Sequence, residues 1–148
     1  MFEILDSKSE DDLGVREFQD KGRGVVALRK FKEGELVVEC SGELIDSQES
    51  KLREATYSSA NLSSSYMYYF EHQNQRMCID ATFESGLYGR LINHSRCNAN
   101  LKPRLFTMRN TPRLVFLAKR DIHVNEELLY DYGDRRKKIL ERNPWLND

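Results

Sequence analysis

The chain has 148 residues and carries 23 Lys and Arg against 24 Asp and Glu, which leaves a formal net charge of −1. This length fits one domain that buries roughly 70% of the surface of its unfolded chain, so neither disulfides nor a structural metal is needed. A hydrophobic fraction of 39% excludes wholesale disorder, and no apolar run has the length of a membrane span.

Short β-prone runs follow an acidic lead-in over residues 1–12 that has little apolar pattern. The apolar runs 25–28 and 36–38 are separated by the polar, glycine-containing segment 32–35, which predicts two adjacent strands. Residues 1–20 are acidic where a signal peptide would be basic and then apolar, so the sequence favours an intracellular protein.

A helix and a hairpin are predicted in the middle of the chain. Asp46 followed by Glu49 forms a capping-box pattern ahead of good helix formers, and it predicts a helix over residues 47–57. The runs 66–70 and 77–79 are rich in aromatic and aliphatic residues and are separated by a polar break, which predicts a β-hairpin.

A further strand and a terminal helix complete the predicted elements. Residues 114–118 form an apolar run, and Pro112 lies at its start, where a missing N–H group costs least. Residues 135–141 predict a short helix that ends before Pro144. Many short strands with two modest helices predict an α+β domain that is mainly β.

Charged residues are distributed unevenly along the chain. Residues 85–120 contain eight basic residues and no acidic one, whereas residues 33–54 contain seven acidic residues and two basic ones. One surface could therefore attract anions and another cations, although both runs could also be solvated faces of strands and a helix. The three cysteines are far apart and odd in number, which predicts neither a disulfide framework nor a zinc knuckle.

Two polar motifs contain residues that could bind a ligand. The segment 21–24, Lys-Gly-Arg-Gly, would let the backbone approach a ligand closely, although a simple glycine turn explains the same pattern. The segment 89–95 combines Arg90, Asn93 and His94 with aliphatic anchors, and its amide and imidazole could bind a polar group. A satisfied core histidine beside an Asx turn is the alternative for this second motif.

Aromatic residues mark the C-terminal part of the chain. In the segment 127–133, Tyr130 and Tyr132 occupy alternate positions and would share one face of an extended chain. They could form a narrow slot with hydroxyl groups at its end, or they could be ordinary core aromatics. Trp145 could anchor the terminus or stack on a planar base.

The three motifs, in this order, resemble the SET-domain lysine methyltransferases over about residues 13–148. The resemblance implies the SET fold, with several small sheets, a C-terminal pseudoknot and a short C-terminal helix. It places the SET domain at residues 13–133 and assigns residues 134–148 to a helix and tryptophan that close the cofactor pocket. Segments 66–70, 79–82 and 143–146 are most similar to the branch that monomethylates lysine 20 of histone H4.

The resemblance also implies a cofactor and residue roles. Tyr132 would lie at the point of methyl transfer, and Tyr130 would limit how many methyl groups fit. S-adenosylmethionine would be held by residues of all three regions: Lys21, Gly22, Arg23, Tyr66, Arg90, Asn93, His94 and Trp145. The substrate peptide would be contacted by four residues: Cys40, Glu54, Tyr69 and Asp134. Cys40 stands where the family usually has a tyrosine, which predicts a wider or wetter lysine channel.

The resemblance implies a nuclear, chromatin-associated monomer that acts on the histone H4 tail and the nucleosome. The acidic run 33–54 would attract the basic histone tail, and the basic stretch 85–120 would contact nucleosomal DNA. The sequence is also compatible with two other functions. The chain could be a non-catalytic SET module that binds histone tails or scaffolds a chromatin complex, or a small β-rich nucleic-acid binder.

Overall fold

The computed structural model describes residues 10–60, 66–83 and 86–132 of the chain. The strands are β1 (Leu13–Phe18), β2 (Gly22–Ala27), β3 (Leu36–Glu39), β4 (Glu43–Asp46), β5 (Met67–His72), β6 (Gln75–Asp80), β7 (Asn93–His94), β8 (Leu101–Met108), β9 (Thr111–Ala118) and β10 (Leu129–Tyr130). The helix α1 spans Ser47–Ser59, and a 3₁₀ turn spans Gly89–Leu91.

These strands form four small sheets. Two sheets have two strands each, in the orders β1-β2 and β10-β7, and two have three strands, in the orders β3-β9-β8 and β4-β6-β5. The predicted fold class, mainly β with several small sheets, is confirmed. None of the helices in the described part of the chain has the length and apolar character needed to cross a membrane.

Helix α1 begins where the capping pattern predicts. The Asp46 side chain accepts a hydrogen bond from the Glu49 backbone N–H at 2.9 Å, which satisfies one of the donors at the helix start. The helix continues two residues beyond the predicted end at Tyr57, because Tyr57 is buried against the sheet rather than exposed in a loop. Its hydroxyl donates to Asp80 at 2.6 Å and so ties α1 to β6.

Both long hairpins turn through residues with positive φ. The β5–β6 hairpin, which confirms the prediction, turns at Gln73 and Asn74 with φ of 51° and 63°. The β8–β9 hairpin turns at Arg109 and Asn110 with φ of 49° and 64°. Two consecutive positive φ values match the twist of the flanking strands. The strand predicted at 114–118 is confirmed within β9, whereas β8 was not predicted.

The predicted adjacency of the strands now labelled β2 and β3 is wrong. Strand β2 pairs with β1, and β3 pairs with β9. The second edge of β2 is occupied by the chain near residue 127, because Ala27 N–H donates to Glu126 O at 3.0 Å and Leu128 N–H donates to Val25 O at 2.8 Å. Those backbone bonds leave no edge of β2 available to β3.

The main core lies where these sheets meet. Its largest fully buried side chains include Tyr68, Phe31, Phe116, Ile92 and Tyr130. Every sheet contributes to this core, so the short strands are fixed mainly by side chains packed between sheets rather than by long ladders. The predicted C-terminal helix, Trp145 and Asp134 lie outside the described residues.

Candidate functional site

The second and third sequence motifs meet in a parallel pair of very short strands. Asn93 lies opposite Leu129, and His94 lies opposite Tyr130, in the register of β7 and β10. The Ser95 backbone N–H extends the pairing by donating to Tyr130 O at 3.1 Å. The segment after residue 126 therefore runs beside the segment after residue 92, as the predicted pseudoknot requires.

Asn100 supports this pairing with its side chain and its backbone. Its Oδ1 accepts from the Leu129 backbone N–H at 2.8 Å, and its Nδ2 donates to Glu127 O at 2.8 Å and to Glu126 Oε2 at 3.1 Å. Its own N–H donates to Leu129 O at 3.0 Å. Asn100 is fully buried, so its hydrogen bonds are protected from water. Its side-chain amide bonds the Leu129 N–H and the Glu127 carbonyl in the way that a neighbouring strand would. Sequence reasoning missed Asn100, since its spacing from other motifs carries no local signal.

His94 fixes the backbone of Tyr132, from which it is separated by 38 positions in the chain. The Tyr132 N–H donates to His94 Nδ1 at 3.0 Å, and the two rings lie 5.1 Å apart. The Nδ1 atom of His94 thus acts as the acceptor that fixes the position of the Tyr132 backbone. The Asp131 carboxylate lies 3.9 Å from the same Nδ1.

Tyr130 and Tyr132 form one aromatic cluster. Their ring centroids are 4.7 Å apart, and Tyr130 also contacts Phe116 at 4.6 Å and stacks near Tyr68 at 6.4 Å. Tyr130 is fully buried, and Tyr132 is 8% exposed. The Tyr132 hydroxyl donates to Ile92 O at 2.8 Å, which fixes the direction of its hydrogen and leaves acceptor capacity on its oxygen. The two tyrosines therefore form a dry, polar-tipped aromatic wall.

The first motif joins the site through a close backbone approach at Gly24. A Cβ atom there would lie 2.6 Å from Glu127 Oε2, 2.7 Å from the Phe18 ring and 2.9 Å from Asn93 Nδ2. Any side chain at this position would force the Glu127, Phe18 and Asn93 side chains to shift. Gly22, by contrast, has φ of +77°, and a Cβ atom on it would meet nothing within 4 Å, which is typical of a turn. The turn hypothesis therefore fits Gly22, whereas at Gly24 the close approach is to side chains of the protein itself, and the ligand hypothesis stays a prediction.

Glu127 links all three motifs, although sequence reasoning gave it no role. Its Oε1 pairs with Lys21 Nζ at 2.7 Å, and its Oε2 accepts from Asn93 Nδ2 at 3.0 Å. The same Asn93 nitrogen donates to Arg23 O at 3.0 Å. Only 14% of the Glu127 side chain is exposed, so this ion pair is shielded from solvent on the carboxylate side.

Arg90 acts on the loop that follows β6. Its Nε donates to Ala81 O at 2.7 Å, its Nη2 donates to Thr82 O at 2.8 Å, and its guanidinium lies 4.0 Å from the centre of the Tyr66 ring. The Arg90 residue is 7% exposed. The structure thus brings Arg90 and Tyr66 together as a stacked pair next to the 3₁₀ turn that leads into β7.

The predicted substrate residues occupy two places. Cys40 is buried in the same core cluster as Tyr130 and Tyr132. Tyr69 and Glu54 are joined by a hydrogen bond from the Tyr69 hydroxyl, which links β5 to α1. Burial, together with that hydrogen bond to the carboxylate, raises the pKa of Tyr69 above its ordinary value.

Four carboxylates of the acidic run 33–54 are held in ion pairs with arginines, and the run keeps a net negative charge. Arg53 binds Glu43 through both terminal nitrogens at 2.9 Å and binds Glu49 at 2.8 Å. Arg53 also reaches the buried Asp80 at 3.1 Å. Hydrogen bonds from Arg53 to these three carboxylates raise its pKa above the ordinary value, so its charge is permanent. The same pattern recurs at two further pairs: Glu35 with Arg29, and Glu39 with Arg113.

A model of the SET domain matches residues 22–133, and the chain therefore belongs to the SET-domain family. It is 49% identical over 146 residues to N-lysine methyltransferase KMT5A of Xenopus tropicalis, a match that covers 99% of this chain and 43% of that protein. It is 52% identical over 136 residues to histone-lysine N-methyltransferase Set8 of Drosophila melanogaster, a match that covers 92% of this chain and 20% of that protein. The chain thus spans less than half the length of these relatives.

Solved structures agree with the family assignment. A crystal structure of CpSET8 from Cryptosporidium superposes with a TM-score of 0.78 at 43% identity, covering 82% of this chain and 57% of that one. A structure of ctPRC2 in an autoinhibited conformation, bound to S-adenosylmethionine, superposes with a TM-score of 0.67 at 32% identity. That match covers 89% of this chain and 16% of the other. The SET fold implied by the sequence motifs is confirmed.

Proposed function

We propose that the chain is the catalytic part of an S-adenosylmethionine-dependent protein-lysine N-methyltransferase that monomethylates lysine 20 of histone H4. The observation that supports it best is the β7–β10 pairing, which brings Tyr130 and Tyr132 beside Asn93 and His94. The high identity to proteins named N-lysine methyltransferase and histone-lysine N-methyltransferase gives independent support.

The residues around Gly24 fit the polar end of this cofactor. Lys21 and Arg23 supply positive charge for a carboxylate, and Asn93 supplies an amide that can accept from an ammonium group. Tyr66, held by Arg90, supplies an aromatic face. Gly24 is closely packed against the Asn93 side chain, so the backbone forms the floor of this region. When bound, S-adenosylmethionine would supply a methyl group activated by its sulfonium charge.

The tyrosine pair is suited to align a lysine amine. Transfer to an amine requires a neutral, desolvated nitrogen, and an apolar channel lowers the pKa of an amine. Positioning of well-oriented reactants can contribute about 7–11 kcal/mol to such a step. The Tyr132 hydroxyl, oriented by its bond to Ile92 O, would accept a hydrogen bond from the amine and aim its lone pair. We assign no general base and infer that the lysine loses its proton to water.

Product number would be set by the space around the amine. Tyr130 is fully buried between Phe116 and Tyr132, so its hydroxyl would crowd a second methyl group. Tyr130→Phe should therefore raise the dimethylated share of the product, as measured by mass spectrometry. Cys40 provides a small thiol in the same core. The double variant Tyr130→Phe with Cys40→Tyr should therefore make less dimethylated product than Tyr130→Phe alone. An unchanged product mixture in Tyr130→Phe would contradict this account.

Transfer of a radiolabelled methyl group to nucleosomes and free histone H4 tests the activity. We expect Tyr132→Phe to lower the rate by at least about a hundredfold, because orientation of the amine is lost. Tyr88→Phe removes the same hydroxyl from a partly buried tyrosine outside the proposed site, and it should retain the parent rate. Replacement of histone lysine 20 should abolish incorporation of the label.

The non-catalytic alternative predicts a different result in the same assay. A histone-binding SET module would bind S-adenosylmethionine and H4 peptide without transferring the methyl group. Equal label incorporation by the parent and Tyr132→Phe would likewise contradict the roles given above. The strand pairing and ring contacts that join Asn93, His94, Tyr130 and Tyr132 favour the catalytic function.

The histone tail is proposed to bind near Glu54, Tyr69 and Cys40, with Asp134 also contributing from outside the described residues. The wider acidic run keeps a net negative charge that would attract the basic tail, although Arg29, Arg53 and Arg113 hold some of its carboxylates in ion pairs. We infer that a monomer acts in the nucleus on chromatin. The segment 134–148, including Trp145, is proposed to close the cofactor pocket.

Nucleosomal DNA is proposed to contact strand β8. This strand is the outermost in its sheet, and Lys102 and Arg104 are exposed on it. Because each phosphate contact releases counterions, binding should weaken steeply with salt. Replacing both residues by alanine should reduce the slope of log K against log salt by about two. Lys51→Ala, an exposed change on α1, is the matched control, and salt-independent nucleosome binding would contradict the proposal.

A further inference from the structure

The amide of Asn93 has a defined orientation in the structure. Its Nδ2 donates two hydrogen bonds, to Arg23 O and to Glu127 Oε2, each at 3.0 Å. A primary amide nitrogen has two hydrogens, so both donors are used. Within the described part of the chain, no residue donates to its Oδ1. Because both neighbours of the nitrogen are acceptors, the opposite orientation of the amide would place its oxygen against two oxygens.

Glu127 is the partner that controls this orientation with a charge. A carboxylate accepts more strongly than a backbone carbonyl, and it cannot act as a donor. Lys21 holds the other carboxylate oxygen at 2.7 Å, which fixes the carboxylate beneath Gly24. Hydrogen-bonded groups in series polarise one another, so this negative charge makes the Asn93 oxygen a better acceptor.

We propose that Glu127 is a positioning residue that orients the Asn93 amide so that its oxygen recognises the ammonium group of the bound cofactor. This inference rests on the proposed function and adds a residue that determines selectivity for the amino group. Glu127 acts through Asn93 and does not itself touch the cofactor. Neutralising Glu127 should therefore affect recognition of the amino group and leave recognition of the rest of the cofactor intact.

Binding of two unreactive ligands separates these effects. The first ligand is S-adenosylhomocysteine, and the second is its analogue in which the α-amino group is replaced by hydrogen. Isothermal titration calorimetry on the full chain gives the ratio of the two dissociation constants. We expect the parent to prefer the amine-bearing ligand by at least about tenfold, which corresponds to a hydrogen bond to a charged group.

In Glu127→Gln, the preference should fall about tenfold, because a glutamine amide can donate to Asn93 and reverse the amide. Binding of the deamino ligand should change by less than about threefold. Glu126→Gln is the matched control: it removes the adjacent carboxylate, which contacts Asn100 and not Asn93, and it should retain the parent preference. Adding Glu127→Gln to Asn93→Ala should cause no further loss of preference.

The outcomes separate the two proposals. Equal weakening of both ligands in Glu127→Gln, or an unchanged preference, would overturn the role of Glu127 while leaving the methyltransferase proposal intact. A parent chain that binds neither ligand would overturn the proposed function itself, and this inference with it. If circular dichroism shows that Glu127→Gln is unfolded, Glu127→Asp replaces it, since the shorter side chain loses the Asn93 contact but keeps the charge.

Discussion

The β8–β9 hairpin and the β7–β10 pair are both sheets, but different interactions hold them. The hairpin has eight residues in each strand, in unbroken antiparallel register, and a two-residue turn joins them. The β7–β10 pair has two residues in each strand, in parallel register. Parallel strands cannot be joined by a tight turn, and the residues of this pair come from distant parts of the chain.

This difference shows where side chains must replace backbone pairing. The few backbone hydrogen bonds of a two-residue pair do not offset the entropy that is lost when the long segment between β7 and β10 is closed into a loop. The β7–β10 pair is completed by Asn100, which bonds Leu129 N–H, and by His94, which accepts from Tyr132 N–H. The hairpin needs no such help, because its ladder bonds are local and numerous. The candidate site is thus built from the part of the fold that depends most on individual polar side chains.

Among the substitutions considered for these two regions, removal of the Asn100 amide should lower the free energy of unfolding most. Asn100→Leu keeps a similar volume but leaves the Leu129 N–H and the Glu127 carbonyl without their buried partner. Each such loss costs about 1–3 kcal/mol, so we expect the free energy of unfolding to fall by about 3–5 kcal/mol. Urea denaturation measures this change. Asn98→Leu, the same substitution at an exposed position, should change stability by less than about 0.5 kcal/mol.

A small loss in Asn100→Leu would mean that core packing alone holds β10. Hydrogen exchange adds a second criterion. In Asn100→Leu, the amides of β10 should exchange faster relative to those of β8 and β9, because local opening becomes easier at the weakened pair. Uniform acceleration across both regions would contradict a local role for the amide.

Sequence reasoning succeeded where the signal is local. Asp46 and Glu49 predicted the start of α1, and the polar break around Gln73 predicted the β5–β6 hairpin. Strand β8 was not predicted, because its apolar residues do not alternate regularly and because proline, here Pro103, is unfavourable within a paired strand. The end of α1 was placed two residues early because burial of Tyr57 depends on tertiary contacts.

The site was predictable only through family resemblance. Strands β7 and β10 are too short to show periodicity, so no pattern could have predicted their pairing. The resemblance correctly joined the motifs that contain His94 and Tyr132. It gave no role to Glu127 or Asn100, because their importance lies in side-chain hydrogen bonds to residues 26 to 106 positions away. Such contacts become visible only once the chain has been folded in space.

Acid should weaken the β10 end of the molecule through Glu126. Although burial acts in the opposite direction, hydrogen bonds from Arg120, the His123 backbone N–H and Asn100 lower the pKa of Glu126 to about 2. The unfolded pKa lies near 4.5, so the stabilisation is complete above about pH 5 and is lost as pH falls from about 5 towards 2. We expect a loss of about 2 kcal/mol over this range, measured by urea denaturation at about pH 6 and pH 3.

Glu126→Gln identifies the source of that pH dependence. The variant should be less stable than the parent near neutral pH, and the difference should shrink in acid, where the parent carboxylate begins to protonate. Arg120→Gln should remove part of the effect, because one of the hydrogen bonds that lower the pKa is lost. Identical slopes of stability against pH for the parent and Glu126→Gln would exclude Glu126 as the group responsible.

Substitutions in the turn of the β8–β9 hairpin should change the free energy of unfolding least. They test whether this hairpin is independent of the β7–β10 pair. Asn110 has φ of 64°, a conformation that glycine adopts more easily than asparagine and that alanine resists. We expect Asn110→Gly to stabilise the protein by about 0.5 kcal/mol and Asn110→Ala to destabilise it by about 1 kcal/mol. Thermal and urea unfolding of the two variants check these opposite signs. Since this turn is remote from β10, both variants should keep the parent affinity for S-adenosylhomocysteine, and a change in that affinity would show that the hairpin and the site are coupled.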